Sequence, residues 1–174
     1  MPIAEALPRR TAHSRATRSS IGEPPGDEQP FLAGPGQYGA SGRSRLPRIL
    51  TGLRVLVVDD DEDTAQLFVA ALSGCGAEVE AVTGAPEALR ALAARAPDIV
   101  VSDIAMPRYD GYWLVREIRQ LEDARVRTVP VLAVTAFSRE HSRARALVAG
   151  FVDHLEKPVD PEVLCRAVAR ASGR

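Results

Sequence analysis

Lysine is almost missing from this sequence of 174 residues. Of its 22 basic residues only Lys157 is a lysine, and the other 21 are arginines. No apolar run reaches the roughly 18 residues that a membrane-spanning helix needs, and the N-terminus lacks the apolar stretch of a signal peptide. The net charge of −1 gives no overall attraction to nucleic acid or to a membrane surface. We therefore predict a cytoplasmic protein that binds neither.

Cysteine is also scarce, with only Cys75 and Cys165. Two cysteines 90 positions apart do not form the spacing of a metal site. In a chain that is expected to stay in the cytoplasm, thiols are most simply reduced. We expect both residues to be free thiols that pack within helices.

The first 50 residues are rich in Pro, Gly, Ser and Arg and poor in large apolar side chains. Such a composition cannot bury enough surface to offset its ordering entropy. We predict a disordered extension over residues 1–50 and a folded domain over residues 51–174. The G-x-G-x-x-G motif at residues 34–39 binds pyrophosphate only between a strand and a helix, so we interpret it as part of this linker.

From residue 53 onward, short apolar runs alternate with amphipathic segments. The apolar runs predict strands at residues 53–58, 77–82, 98–102, 129–134 and 151–155. The amphipathic segments predict helices at residues 63–73, 85–95, 111–122, 139–150 and 161–171. In the first of these, Leu67, Phe68, Ala71 and Leu72 are expected to share the buried face. Five strand and helix pairs in about 120 residues predict a parallel sheet covered by helices on both faces.

Polar side chains follow the ends of four predicted strands. Asp59 and Asp60 follow the first strand, Asp103 the third, Thr135 the fourth and Lys157 the fifth. Ligands of open α/β sheets bind beyond the carboxyl ends of the strands. We therefore expect these five side chains to converge on one pocket.

The predicted pocket suits a phosphoryl group held beside a metal ion. Three close carboxylates stay ionised together only if a cation offsets their charge, and an all-oxygen site with room for water suits Mg²⁺. An ammonium and a hydroxyl would each hold one phosphoryl oxygen, and one carboxylate could accept the group as an aspartyl phosphate. A compact ammonium suits this pocket better than a guanidinium fork, which explains why the single lysine stands here.

Four segments, in this order, resemble the receiver domain of bacterial response regulators: VLVVDDDED, VVSDIAMPRYDGY, VLAVTA and HLEKPVD. The resemblance covers about residues 53–172. It implies a doubly wound (βα)5 domain with a flavodoxin-like five-stranded parallel sheet in the order 2-1-3-4-5. It also implies a two-component signalling protein, not an enzyme, that accepts a phosphoryl group from a histidine kinase or a histidine phosphotransfer protein. The chain stops soon after the last predicted helix, so we expect a stand-alone receiver that is monomeric or weakly dimeric and acts on a downstream protein.

The resemblance also assigns roles to the residues that form the metal site. It implies that Asp103 is the phosphoacceptor and that Asp60 binds Mg²⁺ directly. Asp59 is implied to bind the metal through water, and Asp103 to be a ligand as well. Ala105, two residues after the acceptor, is implied to supply a backbone carbonyl.

The remaining roles concern the last two strands. The resemblance implies that Thr135 is the switch hydroxyl and that Lys157 binds the phosphoryl group before a cis Lys157–Pro158 bond. The family often has Tyr or Phe three residues before this lysine as a rotamer switch. His154 stands there in this sequence, so we assign the switch position to a different ring.

The acidic residues are also compatible, in part, with three other kinds of protein. The acidic cluster is not an EF-hand, because Thr64 stands where that loop needs glycine and Ala70 where it needs glutamate. A small haloacid-dehalogenase-type phosphohydrolase is less favoured, because Asp63 stands where its motif has Thr or Val. A receiver-like scaffold that is never phosphorylated stays open.

The predicted helix at residues 139–150 carries Arg139, Arg143 and Arg145. This basic face is either solvated or a surface for a partner.

Overall fold

The structure, a computed structural model, describes residues 48–136 and 141–174. Its five strands form one parallel sheet in the order β2-β1-β3-β4-β5, which confirms the fold that the sequence predicts. The strands are β1 (Arg54–Val58), β2 (Glu78–Val82), β3 (Ile99–Ser102), β4 (Val131–Thr135) and β5 (Asp153–Glu156). The central strands β1, β3 and β4 are buried almost throughout, which explains their unbroken apolar runs.

Six helices are present in the described residues. They are α1 (Glu62–Gly74), α2 (Ala85–Ala94), α3 (Gly111–Gln120), α4 (Ala124–Arg127), α5 (Arg143–Ala149) and α6 (Pro161–Ala171). The short helix α4 was not predicted, because four residues are too few to show a periodicity. None of the helices in the described part of the chain is both long and apolar enough to cross a membrane.

The sheet separates two hydrophobic cores. Along β1, Val55 and Val57 face the core formed with α1 and α6. The alternate residues Leu56 and Val58 face the core formed with α2, α3, α4 and α5. Successive side chains of a strand point to opposite faces, so one apolar strand serves both cores.

Helix α1 buries a narrower stripe than predicted. Ala65, Phe68 and Leu72 face the sheet, whereas 69% of Leu67 is exposed. The expectation that Leu67 shares the buried face is therefore wrong. Residues three and four apart lie on one side of a helix, and Leu67 stands next to Phe68 in sequence, about 100° away around the helix axis.

The folded region begins before residue 51. Leu50 is fully buried, and its backbone N–H donates to the carbonyl oxygen of Cys75 at 3.0 Å. Leu50 therefore belongs to the folded domain, although the prediction placed it in the extension. A single apolar side chain at the end of a polar segment gives no periodic signal. Residues 1–47 of the predicted extension, which include the motif at residues 34–39, and Arg139 lie outside the described residues.

The two cysteines form a disulfide bond in this structure. Cys75 lies at the C-terminal end of α1 and Cys165 lies in α6. Both side chains are buried in the core between these helices, so the predicted packing is confirmed. The prediction of free thiols is wrong, because the fold brings the two Cα atoms to 6.5 Å, within the range that a disulfide spans.

Replacing Leu50 should destabilise the domain more than replacing its neighbour. Leu50→Ala is expected to lower the free energy of unfolding by about 2–5 kcal/mol, because it removes buried methyl groups and leaves a cavity. Ile49→Ala should change it by less than about 0.5 kcal/mol, because Ile49 is exposed. Urea unfolding of both variants measures this, and equal losses would show that Leu50 is not part of the core.

The disulfide can be checked by mass spectrometry. Denatured protein treated with iodoacetamide should gain no adduct unless a reductant is added first, and should then gain two. Reduction should also lower the free energy of unfolding by about 2–4 kcal/mol, because the bond closes a long loop of the unfolded chain. Two adducts without reductant would contradict the bond.

Candidate functional site

The first part of the site is the turn that joins β1 to α1. Asp59 directly follows β1 and is buried, whereas Asp60 is exposed. The backbone N–H of Asp61 donates to Asp59 Oδ1 at 3.1 Å, and the Asp61 carboxylate accepts a hydrogen bond from the Thr64 N–H at the start of α1. One short polar turn therefore caps the helix and fixes the Asp59 carboxylate.

Lys157 enters the site from the other half of the sheet. Its backbone N–H donates to the carbonyl oxygen of Thr135 at 3.0 Å, which keeps the chain beside β4 after β5 ends. Its Nζ lies 2.6 Å from Asp59 Oδ2 and 3.6 Å from Asp103 Oδ2. Its peptide bond to Pro158 is cis, as the resemblance implied. The ammonium therefore joins two carboxylates that lie far apart in sequence.

Asp103 follows β3 and is held by its neighbours. The Ile104 N–H donates to Asp103 Oδ1 at 2.8 Å, and the Ser102 hydroxyl donates to the carbonyl oxygen of Asp103 at 2.7 Å. Gly111, at the start of α3, approaches so closely that a Cβ there would lie 2.5 Å from that carbonyl oxygen. This close approach of Gly111 is not predicted by the sequence motifs, although the Asp110–Gly111 pair is typical of a turn.

Burial and charge act in opposite directions on Asp59. Burial raises the pKa of its carboxyl, and the hydrogen bond and charge of Lys157 partly offset the effect. Asp103 adds a smaller repulsion in the same direction as burial. Positive charge beside Asp59 therefore favours its ionised form and opposes the effect of burial.

The three predicted carboxylates form one cluster. Oxygen atoms of Asp59, Asp60 and Asp103 all lie within 4.8 Å of one another. One ammonium leaves two negative charges in this group, and a divalent cation with oxygen ligands balances them. The residues present therefore fit Mg²⁺. Ala105, the predicted carbonyl ligand, lies half-buried in the loop two residues after Asp103.

Two further predicted residues lie on the strands beside this cluster. Thr135 is fully buried at the end of β4 and pairs in register with Glu156. His154 lies on β5 opposite Ala133. Its Nε2 atom is buried and has no hydrogen-bond partner among the described residues. Thr135 therefore stands at the same edge of the sheet as the carboxylates, while His154 lies further back along its strand.

A family model for the response regulator receiver domain matches residues 55–169. The chain belongs to this family. It is 44% identical over 119 residues to an uncharacterised 14.6 kDa protein of Leptolyngbya boryana, a match that covers 68% of this chain and 89% of that protein. It is 36% identical over 111 residues to the response regulator PleD of Caulobacter vibrioides, covering 64% of this chain and 24% of PleD.

Solved receiver domains share the fold. A response regulator from Chloroflexus aurantiacus aligns with a TM-score of 0.65 and 32% identity, covering 70% of this chain and 98% of that structure. The receiver domain of the sensor histidine kinase PA1611 from Pseudomonas aeruginosa aligns with a TM-score of 0.64 and 32% identity, covering 71% and 100%. That structure has a magnesium ion coordinated in its active site cleft. The family assignment favours a receiver over the phosphohydrolase alternative.

Magnesium should stabilise the protein through Asp60. At ten times the dissociation constant, Mg²⁺ should add about 1.4 kcal/mol to the free energy of unfolding and raise Tm by a few degrees. Asp60→Asn should weaken the affinity by about 10-fold or more. The control Asp63→Asn removes an exposed carboxylate outside the cluster and should leave the effect unchanged. Thermal melts at increasing Mg²⁺ concentrations measure the affinity of each variant. Equal affinities of Asp60→Asn and Asp63→Asn would refute the role of Asp60 as a ligand.

The rise in Tm caused by Mg²⁺ should also depend on pH. Because burial raises the pKa of Asp59 in the folded state, its ionisation disfavours folding as the pH rises from the ordinary pKa of an aspartate through the raised one, unless a cation is bound. As the pH falls, protons compete with Mg²⁺ at Asp59 earlier than at an ordinary aspartate. The rise in Tm caused by Mg²⁺ should therefore shrink from neutral towards acidic pH.

Proposed function

We propose that this protein is an Mg²⁺-dependent phosphoacceptor of a two-component system, with Asp103 as the accepting residue. The observation that carries the proposal is the position of Lys157 Nζ, 2.6 Å from Asp59 and 3.6 Å from Asp103, beside the cluster of three carboxylates. The site thus combines a nucleophile, a cation site and a point charge for a phosphoryl oxygen.

In the proposed reaction, an Asp103 oxygen forms a bond to the phosphorus of a phosphohistidine. The bond between phosphorus and the imidazole nitrogen breaks, and the imidazole leaves with that electron pair. Asp59, Asp60, Asp103 and the Ala105 carbonyl would hold Mg²⁺, which neutralises charge on the phosphoryl oxygens. Lys157 holds one of these oxygens, and the Ile104 N–H fixes the Asp103 carboxylate during the transfer.

Thr135 and His154 are proposed to report the phosphorylated state. Thr135 would turn its hydroxyl towards a phosphoryl oxygen, which would move the end of β4. His154, next to β4 in the sheet, would adjust its ring to that movement. A downstream protein would read the change, so the output is a protein contact rather than a catalysed reaction.

The phosphoryl donor is proposed to be a histidine kinase or a histidine phosphotransfer protein. A donor histidine has to reach Asp103 from the open edge of the sheet. A largely apolar cleft lies beside this edge, lined by Leu67 and Phe68 of α1 and by Lys157 and Pro158. The exposed Leu67 would provide an apolar contact for the donor. A histidine kinase takes the phosphoryl group that it passes on from ATP, which is an intracellular nucleotide, so we also propose a cytoplasmic location.

The proposal is tested by incubating the protein with acetyl phosphate and reading its intact mass. The wild type should gain one phosphoryl group with Mg²⁺ and none with EDTA. Asp103→Asn should gain none while it keeps its fold. Lys157→Arg should gain the group more slowly, because a guanidinium keeps the charge but changes the hydrogen-bond geometry.

The outcomes separate the alternatives. Uptake by Asp103→Asn at the rate of the wild type would place the acceptor elsewhere. No uptake by the wild type would favour a receiver-like scaffold. The proposed contact between Leu67 and the donor is tested with Leu67→Asp. This variant should accept the phosphoryl group at the normal rate from acetyl phosphate but slowly from a phosphorylated histidine phosphotransfer protein.

A further inference from the structure

A basic groove lies between α3 and α5, in the helical layer on the side of the sheet opposite α1 and α6. Two adjoining depressions form it and share Tyr112, Arg116 and Arg145. Arg108 extends one end of the groove, and Val148 extends the other. The groove therefore offers cationic side chains at one end and an apolar side chain at the other.

The groove concentrates positive charge in an otherwise acidic domain. Helices α3 and α5, together with residues 106–110, carry five arginines and two acidic residues, Asp110 and Glu117. The rest of residues 51–174 carries 10 basic and 17 acidic residues. Both of these acids also have local partners, and only Asp110 lines the groove. Asp110 accepts the Trp113 N–H at 2.7 Å, and Glu117 lies 3.7 Å from Arg116.

Four of the five arginines divide into two pairs, and the fifth, Arg145, packs on an aromatic ring. Arg119 donates to three backbone carbonyls, and Arg143 pairs with Asp153, so these two hold the fold together. Arg108 and Arg116 are largely exposed. Arg108 also has a backbone φ of 68°, a left-handed conformation that is uncommon for a residue other than glycine. Such conformations concentrate at functional positions.

An aromatic and apolar wall lies beside these charges. The Arg145 guanidinium stands 4.8 Å above the centre of the Tyr112 ring, and that ring packs edge-on against Phe151. On α5, 90% of Val148 is exposed, more than of any other large apolar side chain in the described residues. The Tyr112 ring is held in place by its packing, while Val148 exposes apolar surface that a partner could cover.

We propose that this groove binds an acidic segment of a partner protein, in the form of an amphipathic helix. Its carboxylates would pair with Arg108 and Arg116, whose guanidinium groups suit two parallel hydrogen bonds. An aliphatic side chain of the same segment would cover Val148. Nucleic acid suits the groove less well, because its phosphate chain would cross the acidic remainder of the domain. Binding here requires neither phosphorylation of Asp103 nor a free α1 surface.

A synthetic peptide provides the probe. A fluorescein-labelled helix of about 20 residues, long enough to be helical, would carry glutamates on one face and leucines at spacings of three and four. Fluorescence anisotropy with the full chain should give saturable binding, with a Kd below about 1 mM, that weakens as salt is added. Backbone NMR shifts should concentrate in α3 and α5.

Variants locate the binding surface. Arg116→Glu and Val148→Asp should each weaken binding about 10-fold or more, because each places a carboxylate against the acidic peptide. The matched control is Arg166→Glu on α6, an arginine of similar exposure that also lies beside a glutamate. It should change the Kd by less than about 2-fold. Circular dichroism melts confirm that all three variants fold.

Three results would overturn the proposal. The first is an absence of NMR shifts in α3 and α5 at millimolar peptide. The second is an equal loss of affinity in Arg166→Glu, which would mean general charge attraction. The third is displacement of the peptide by a single-stranded oligonucleotide of the same charge at lower concentration, which would make the groove a nucleic-acid site.

Discussion

The ion pair between Lys157 and Asp59 is the contact on which the site depends. Three strand spacings, about 14 Å, separate β1 from β5 in the sheet, and the loops after these strands bring the two side chains to 2.6 Å. The pair offsets the burial of Asp59 and lies close enough to Asp103 to lower the repulsion between the two carboxylates. Removing one partner of a buried pair costs about 3–5 kcal/mol, so the same contact supports both the fold and the arrangement of the site.

Backbone contacts hold the two carboxylates beside this lysine, Asp59 and Asp103, in place. Asp61 caps α1 and donates to Asp59, while Gly111 begins α3 directly against the backbone of Asp103. Each helix therefore starts at a residue that also positions a carboxylate. A side chain at position 111 would press against the Asp103 backbone and move α3 away from it, which would disturb the cluster although no metal ligand is replaced.

Much of the fold could be predicted because the central strands are buried on both faces. Their apolar runs are unbroken, and polar residues follow each one, which located Asp59, Asp60, Asp103 and Thr135. Lys157 follows the edge strand β5 in the same way. The short edge strands are less regular, but the alternation of elements was sufficient to place them. The family resemblance then supplied the strand order, which periodicity alone does not contain.

The errors have separate physical causes. Leu67 was assigned to the core because it is apolar, although the helical stripe is set by its neighbours at spacings of three and four. Leu50 was omitted because its burial depends on a single long-range contact with the end of α1. The cysteine pairing depends on how α1 and α6 cross, and their separation of 90 residues gives no indication of it.

The disulfide also restrains one of the two helical layers and leaves the other without a crosslink. Cys75 and Cys165 link the end of α1 to the body of α6, so these helices cannot move apart while the bond is intact. The layer opposite them is built from shorter helices, including α4 with four residues and α5 with seven. A movement of helices relative to the sheet would therefore meet less covalent restraint in the layer of α2, α3, α4 and α5 than in the layer of α1 and α6.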